Sequence, residues 1–245
     1  MADRLFSDAE LAALYDGWWQ GHRKDFDFYL PLLMSAEAVL DVGCGTGTLL
    51  HQARESGHKG RLCGLDPAAG MLAQARKWRD IEWVLGDLTS IAYEHEFDLL
   101  VTTGHAFQVL IMDDEIRKSL AAIRRTLTNN GRFAFETRNP LACAWKSWTP
   151  ENAVEVTDPK GATVRITTQV DTPFDGRTVS FTHTFTSSTW ARPQLSQSTL
   201  RFLDADLLTS FLTDAGFVIE EQFGDWGRQP LTETSPEIIT IARSR

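Results

Sequence analysis

Three glycines spaced two apart, Gly43, Gly45 and Gly47, separate the short apolar run 38–42 from a stretch with helical periodicity at 49–55. Few folds place such a loop between a strand and a helix. Glycine lets the backbone turn sharply and lets a ligand approach it closely. The helix beyond offers unpaired N–H groups at its N-terminus. An acid, Asp41, stands two residues before the first glycine. The dinucleotide fingerprint G-x-G-x-x-G/A, counted from Gly43, would need its third small residue where Thr48 stands. No Walker lysine follows, so a phosphate-cradling P-loop is excluded.

The unit of apolar run and helix then repeats. Runs at 61–65, 81–85, 97–102 and 132–136 alternate with helical stretches at 68–78 and 113–127. Ile116, Leu120, Ile123 and Leu127 form the buried stripe of the last helix, and Asn129-Asn130-Gly131 turns the chain into the next strand. Such alternation implies a parallel sheet covered on both faces. Between 150 and 200 the pattern switches to period two. Val164, Ile166 and Val170 share one face of 163–170; Val179, Phe181, His183 and Phe185 share one face of 178–186. Asp175-Gly176 lies between as a turn. This predicts an inserted antiparallel hairpin, with 201–203 as a further strand, and His183 as a core histidine. The α/β pattern resumes with Asp204 as an N-cap, a stripe of Leu207, Leu208, Phe211 and Leu212, Gly216 as the helix stop, and strands at 217–223 and 238–242. At the start, Ser7 and Glu10 read as a capping box. Leu11, Leu14, Tyr15, Trp18 and Trp19 form one helical face behind it, and a second helix over 24–34 should kink or shorten at Pro31.

The expected architecture is a single α/β domain over residues 1–245. It has a Rossmann-like, seven-stranded, mostly parallel sheet with helices on both faces. An N-terminal helical cap (1–35) and an inserted antiparallel β region (145–203) complete it.

Charge and cysteine usage narrow the function. The chain has 24 Lys and Arg against 33 Asp and Glu, a net charge of -9, which argues against neutralising nucleic-acid phosphates. Cys44, Cys63 and Cys143 form no CxxC pair, so neither a disulfide framework nor zinc is expected. No Cys, His and carboxylate spacing suits a metal. The first residues lack signal-peptide character, and no apolar run reaches the ~18 residues of a membrane span. The reading is a cytoplasmic protein, monomer or homodimer, that engages neither membrane nor nucleic acid.

Two further acids follow the second and third predicted strands. Asp66, in Gly64-Leu65-Asp66-Pro67, could accept both hydroxyls of a ribose. Asp87, in Gly86-Asp87-Leu88, could accept from an adenine amino group, with the Leu88 N–H beside it. Three consecutive strand ends thus suit one adenosine ligand, at the sheet edge where open α/β folds bind ligands.

With these residues assembled, the chain resembles the class I S-adenosylmethionine (SAM)-dependent methyltransferases of bacterial small-molecule type. The resemblance rests on Leu40-Asp41-Val42-Gly43-Cys44-Gly45-Thr46-Gly47, Gly64-Leu65-Asp66-Pro67 with Met71-Leu72, Gly86-Asp87, Phe97-Asp98-Leu99 and Asn130-Gly131-Arg132. It extends through His105-Ala106-Phe107-Gln108, Ala215-Gly216-Phe217, Gly224-Asp225-Trp226 and Ser235-Pro236-Glu237-Ile238-Ile239. It implies SAM binding by Tyr15, Asp41, Gly43, Cys44, Gly45, Gly47, Asp66, Pro67, Met71, Asp87, Leu88 and Thr103. Tyr15 would close over the methionine part, and Cys44 is a small spacer rather than a nucleophile. His105 is the candidate general base. Trp18, Trp19, Phe107, Arg138, Asn139 and Trp226 are candidate acceptor contacts. Relatives carry Asn-Ala-Phe-x-His-Leu after strand four, whereas here His105 and Val109 hold the two polar positions. The implied reaction moves a methyl group to N or O of a small molecule. A SAM-binding regulatory or partner protein is the alternative, and a dinucleotide oxidoreductase a more distant one.

Overall fold

The computed structural model describes residues 3–18 and 23–245. A seven-stranded sheet runs in the order β10-β11-β5-β4-β1-β2-β3. Its strands are β1 (Ala38–Val42), β2 (Arg61–Asp66), β3 (Glu82–Leu85), β4 (Phe97–Thr102), β5 (Leu127–Arg138), β10 (Phe217–Phe223) and β11 (Glu237–Ser244). β1 pairs in parallel with β2 and β4, as do β2 with β3 and β4 with β5. β11 is antiparallel to both its neighbours.

Consecutive strand residues point to opposite faces, and the sequence is apolar at both. Leu40, Leu65, Leu100, Phe133 and Phe135 pack against α7 (Asp113–Thr126) and α8 (Ala205–Asp214) through Ile116, Leu120, Ile123, Leu208 and Leu212. Val39, Leu62, Leu99, Val101, Ala134 and Ile241 face the other way. They pack against α4 (Lys24–Met34) and α5 (Thr48–Glu55) through Phe28, Tyr29, Leu33, Leu49 and Leu50. α6 (Ala69–Ala75) connects β2 to β3. Asp204 caps α8 by accepting from the Leu207 N–H, and Gly216 follows it at φ 85°. These are the expected start and stop.

The structure departs from expectation at several elements. Helix α4 runs through Pro31 to Met34 without a break. β5 begins at Leu127, before the Asn-Asn-Gly turn, and its pairing with β4 shifts register between Phe97 and Leu99. The N-terminal face is not one helix. It is three short turns, α1 (Arg4–Ser7), α2 (Ala9–Ala12) and α3 (Tyr15–Trp18). Asp8, not Ser7, caps α2, accepting from the Glu10 and Leu11 N–H groups; the Ser7 hydroxyl donates back to Asp3 O. A carboxylate is the stronger acceptor for two amides.

The inserted hairpin is the centre of a four-stranded antiparallel sheet, β6 (Val154–Thr157), β7 (Thr163–Thr172), β8 (Thr178–Thr186) and β9 (Gln194–Arg201). Its inner face, Val156, Val164, Ile166 and Phe185, covers Leu5, Leu11 and Leu14 of the cap. Residues 201–203 are not a separate strand, since Arg201 ends β9 and Leu203 joins the main core. Backbone and hydroxyl bonds seal the contact: the Leu5 N–H donates to Ser196 Oγ at 2.8 Å, and Ser198 Oγ bonds to Asp3.

Candidate active site

The glycine loop folds back on β2. The Gly43 N–H donates to Leu65 O at 2.8 Å, and the Gly45 N–H donates to Asp66 Oδ2 at 2.8 Å. Gly43, Gly45 and Gly47 have φ of 75°, 56° and 77°, backbone that side-chain-bearing residues rarely adopt. A Cβ at Gly43 would lie 2.9 Å from Ala106 Cβ, and one at Gly47 would lie 2.2 Å from the Trp83 ring. At Gly45 a Cβ would meet nothing within 4 Å. The first and third glycines therefore serve packing as well as turning, and the middle one borders open space.

That space is a cavity lined by Asp41, Gly43, Cys44, Gly45, Thr46, Thr48 and Leu49 from the loop and its helix. Thr103 and Gly104 after β4, Tyr15 and Asp16 of the cap, and Arg23 and Phe26 close it. Asp16, Arg23 and Phe26 had no motif to mark them in the sequence, and Thr46 and Thr48 lay in the loop segment without being named as site residues. Asp16 Oδ1 accepts from Thr46 Oγ1 at 2.7 Å and Thr48 Oγ1 at 3.3 Å, so the cap latches onto the loop. Arg23 pairs with Asp25 at 2.6 Å.

Asp41 is 1% exposed, and its Oδ1 has no hydrogen-bond partner among the described residues. Burial first, and the nearby Asp66 and Glu136 next, push its carboxyl up to about 8. A buried carboxyl oxygen without a partner beside an open cradle marks a polar group that a bound ligand would satisfy. Cys44 is 8% exposed, and burial drives its thiol well above the usual range, as a spacer requires.

The other strand-end acids are engaged locally. Asp66 also accepts from the Ala68 N–H at 2.7 Å, so it clips the glycine loop to the start of α6. It is 6% exposed, and burial raises its carboxyl. Asp87 is exposed, and its Oδ1 accepts from the Thr89 N–H and hydroxyl and the Ser90 N–H. The Thr89 hydroxyl foremost holds its carboxyl below the usual range. Leu88 is 8% exposed and belongs to the core below. Pro67 is exposed, whereas Met71 is 1% exposed and packs with Ala12 and Ala68, next to Tyr15.

Around the far end of the cavity the predicted acceptor residues divide. His105 has φ 61°; its N–H donates to Glu136 Oε1 at 2.8 Å and its Nε2 lies 2.9 Å from Glu237 Oε2. Glu136 is fully buried and also accepts from the Tyr29 hydroxyl. Arg138 donates to Gln108 Oε1 at 3.0 Å, and its guanidinium lies 5.4 Å from the Trp148 ring centroid. Trp18 lies edge-on to His183 at 4.8 Å. His183 Nδ1 bonds to Thr168 Oγ1, which satisfies it within the sheet.

Phe107 belongs to the core instead of the pocket. It is 3% exposed and lies 4.6 Å from Phe135, because the turn at His105 sends it inward. Asn139 is 4% exposed and commits its amide to Thr232 O, Glu233 O, Ser235 O and the Leu141 N–H, tying β5 to the 232–235 turn. Trp226 packs on Phe28 and Tyr29, each at 6.0 Å. Trp19 lies outside the described residues. Glu136 and Glu237 were missed in the sequence: Glu136 sits in an apolar strand with no motif, and Glu237, although part of the 235–239 stretch, has nothing in the sequence to pair it with His105.

Residues 39–131 match a family model described as a methyltransferase domain. Over 111 residues the chain is 36% identical to the 2-phytyl-1,4-naphtoquinone methyltransferase of Thermosynechococcus vestitus, 43% of this chain and 48% of that one. The chain thus spans about half the length of that relative. The CcbJ methyltransferase from Streptomyces caelestis superimposes with a TM-score of 0.78 at 20% identity, covering 99% of both chains. SAM-bound CalS10, an amino pentose methyltransferase from Micromonospora echinaspora, does so with a TM-score of 0.70 at 20% identity, over 95% of each chain. At that identity the likeness speaks for the fold.

Proposed function

We propose that the chain, whose residues 39–131 match a methyltransferase-domain family model, is a class I SAM-dependent methyltransferase that moves a methyl group from SAM to a nitrogen or oxygen of a small molecule. The observation that carries the reading is the open cradle at Gly45 beside the unpaired, buried carboxyl of Asp41. SAM supplies a methyl group already activated by a sulfonium. The loop 43–47 and the start of α5 hold the donor from one side, and Tyr15, Asp16, Arg23 and Phe26 hold it from the other. Thr103 and Gly104 border the same space, so the acceptor approaches over the β4 end, beside His105.

The chain's own work is alignment, exclusion of water and proton handling. The cap and the four-stranded sheet form the wall that excludes water. The His105 backbone N–H bonds to Glu136, which positions the residue, and its ring Nε2 bonds to Glu237, which orients the ring. In this reading Trp18, Arg138 and Trp148 are the acceptor-side wall.

The test is label transfer from methyl-labelled SAM to a panel of small amines, alcohols and phenols. Label in a low-molecular-weight product supports the reading. Binding of S-adenosylhomocysteine (SAH), the donor after loss of its methyl group, with no transfer to any compound would favour a SAM-binding regulatory protein, and absence of SAH binding would remove the premise.

A further inference from the structure

Three strand ends converge behind Thr103 and Gly104. His105 follows β4, Glu136 and Arg138 end β5, and Glu237 opens β11. The charged and titratable groups facing the His105–Glu237 pair are Glu136 and Arg138 from β5, and Tyr29, Asp25 and Arg23 from α4 and its start. Tyr15 of the cap faces Arg138. Asp25 is paired with Arg23. Among the described residues that leaves two carboxyl groups, Glu136 and Glu237, against the single guanidinium of Arg138; burial raises both carboxyls, so a cation entering beside them favours the ionised forms and offsets the excess negative charge. Glu136 is fully buried and spends its oxygens on Tyr29 and the His105 backbone, so its part is positioning. Glu237 and His105 keep 14% and 16% of their side chains exposed. Among the described residues His105 Nδ1 makes no hydrogen bond, while Nε2 is held by Glu237.

We propose that the acceptor is an amine that arrives as its ammonium ion, and that His105, backed by Glu237, removes its proton. The proposal rests on the methyl-transfer reading and names the substrate class of that site. Charge recognises the ion: the ammonium offsets the surplus carboxylate. Proton affinity then separates amines from alcohols. An alkylammonium releases its proton near ~10.4, as lysine does. A hydroxyl holds its own far more tightly, roughly as water does. Burial pushes the Glu237 carboxyl up to about 7, which puts an ammonium within reach and an alcohol far outside it.

The ammonium proton goes to His105 Nδ1, and the Nε2 proton passes to Glu237 Oε2. Burial, with Arg138 beside it, pushes the imidazolium down to about 3, so Glu237 and not His105 retains the added proton. The freed nitrogen lone pair forms the N–C bond, the C–S bond breaks, and its electron pair stays on sulfur as the neutral sulfide of SAH. The product leaves as a methylammonium ion, and Glu237 returns the proton to solvent through His105. His105 is the catalytic residue; Glu237 acts through it.

The experiment uses the full chain, saturating methyl-labelled SAM, and small primary amines paired with alcohols of the same carbon skeleton. Label is expected on amines and not on alcohols, with kcat/KM falling tenfold per pH unit below about 7. Glu237→Gln should cut amine turnover by about 10²-fold, the low end of general-base effects. It should also erase the acidic limb and leave SAH affinity unchanged. His105→Asn, whose residue type tolerates left-handed backbone, should lose the same limb and serves if Glu237→Gln does not fold. Label on alcohols alone, or on neither class, overturns the amine assignment. A limb that persists in a folded variant overturns the role of the pair. Failure of the methyl-transfer reading looks different, because wild type would then not bind SAH at all.

Discussion

Trp83 shows how much a single residue decides at the loop. Its ring occupies the space above both Gly47 and Gly64, where added Cβ atoms would lie 2.2 and 2.4 Å from it. Its Nε1 donates to Trp78 O at 2.9 Å, which fixes the indole. Gly47→Ala therefore combines left-handed strain with overpacking, at about 2–4 kcal/mol in all. Gly45→Ala meets open space and should cost only the strain, about 1–2 kcal/mol. Urea unfolding of the two variants checks the order, and in a Trp83→Ala background the difference should shrink. Asp41 gives a second prediction. Its carboxyl sits at about 8 in the folded chain against 3.8 unfolded, so between those values the folded state holds a proton that the unfolded state lacks. Stability then falls as pH rises through that window. Glu237 acts in the same direction up to about 7, and His105 acts oppositely, but only between about 3 and 6.5. From pH 6.5 to 8 the carboxyl effects stand alone. The urea midpoint of wild type should drop over that interval, and Asp41→Asn should flatten much of the drop. A variant that declines as steeply as wild type would show that Asp41 is already ionised at pH 6.5.

At the scale of elements, the cap joins the two halves of the site. Asp16 reaches the glycine loop, while Leu5, Leu11 and Leu14 sit under the four-stranded sheet. Ligand at the loop should therefore slow amide exchange in residues 4–18 and in β6–β9 together. Asp16→Ala should keep protection in 43–47 and lose it in the cap and sheet; joint protection that survives the substitution would place the coupling elsewhere. Legibility also differs by element. β1, the loop and α8 were readable because apolar periodicity, glycines and an N-cap coincide there. β9 was not. Its cap-facing positions are Ser196 and Ser198, while Leu195 on the opposite face is 51% exposed. The usual apolar alternation is inverted, because this strand meets the cap through hydroxyl and backbone hydrogen bonds instead of apolar contact. In the cap the buried members of the stripe, Leu11 and Leu14, were readable, but a continuous helix was not the outcome. The chain breaks at 13–14, where the Leu14 N–H bonds to Leu11 O.

Across the whole molecule, the sheet order brings β1, β2, β4, β5 and β11 to one edge, and that edge gathers Asp41, Cys44, His105, Glu136 and Glu237, each shifted chiefly by burial. The α/β class and the loop were legible because parallel sheets demand long apolar runs and the glycines carry a spacing. The surroundings of His105 were not, because Glu136 and Glu237 come from strands far apart in sequence and meet only through the antiparallel pairing of β5 with β11. Asp66 was visible as an acid at a strand end, but its hold on the Gly45 and Ala68 amides needed coordinates. For that reason Asp66→Ala would disturb the loop along with any ligand, and Gly45→Ala is the cleaner probe. The most direct measurement is a calorimetric titration of SAH into wild type and into Gly45→Ala. Micromolar binding by wild type, weakened at least tenfold in a folded Gly45→Ala, is the predicted result. No binding by wild type, or equal affinity in both proteins, would contradict the assignment of the loop as the donor site.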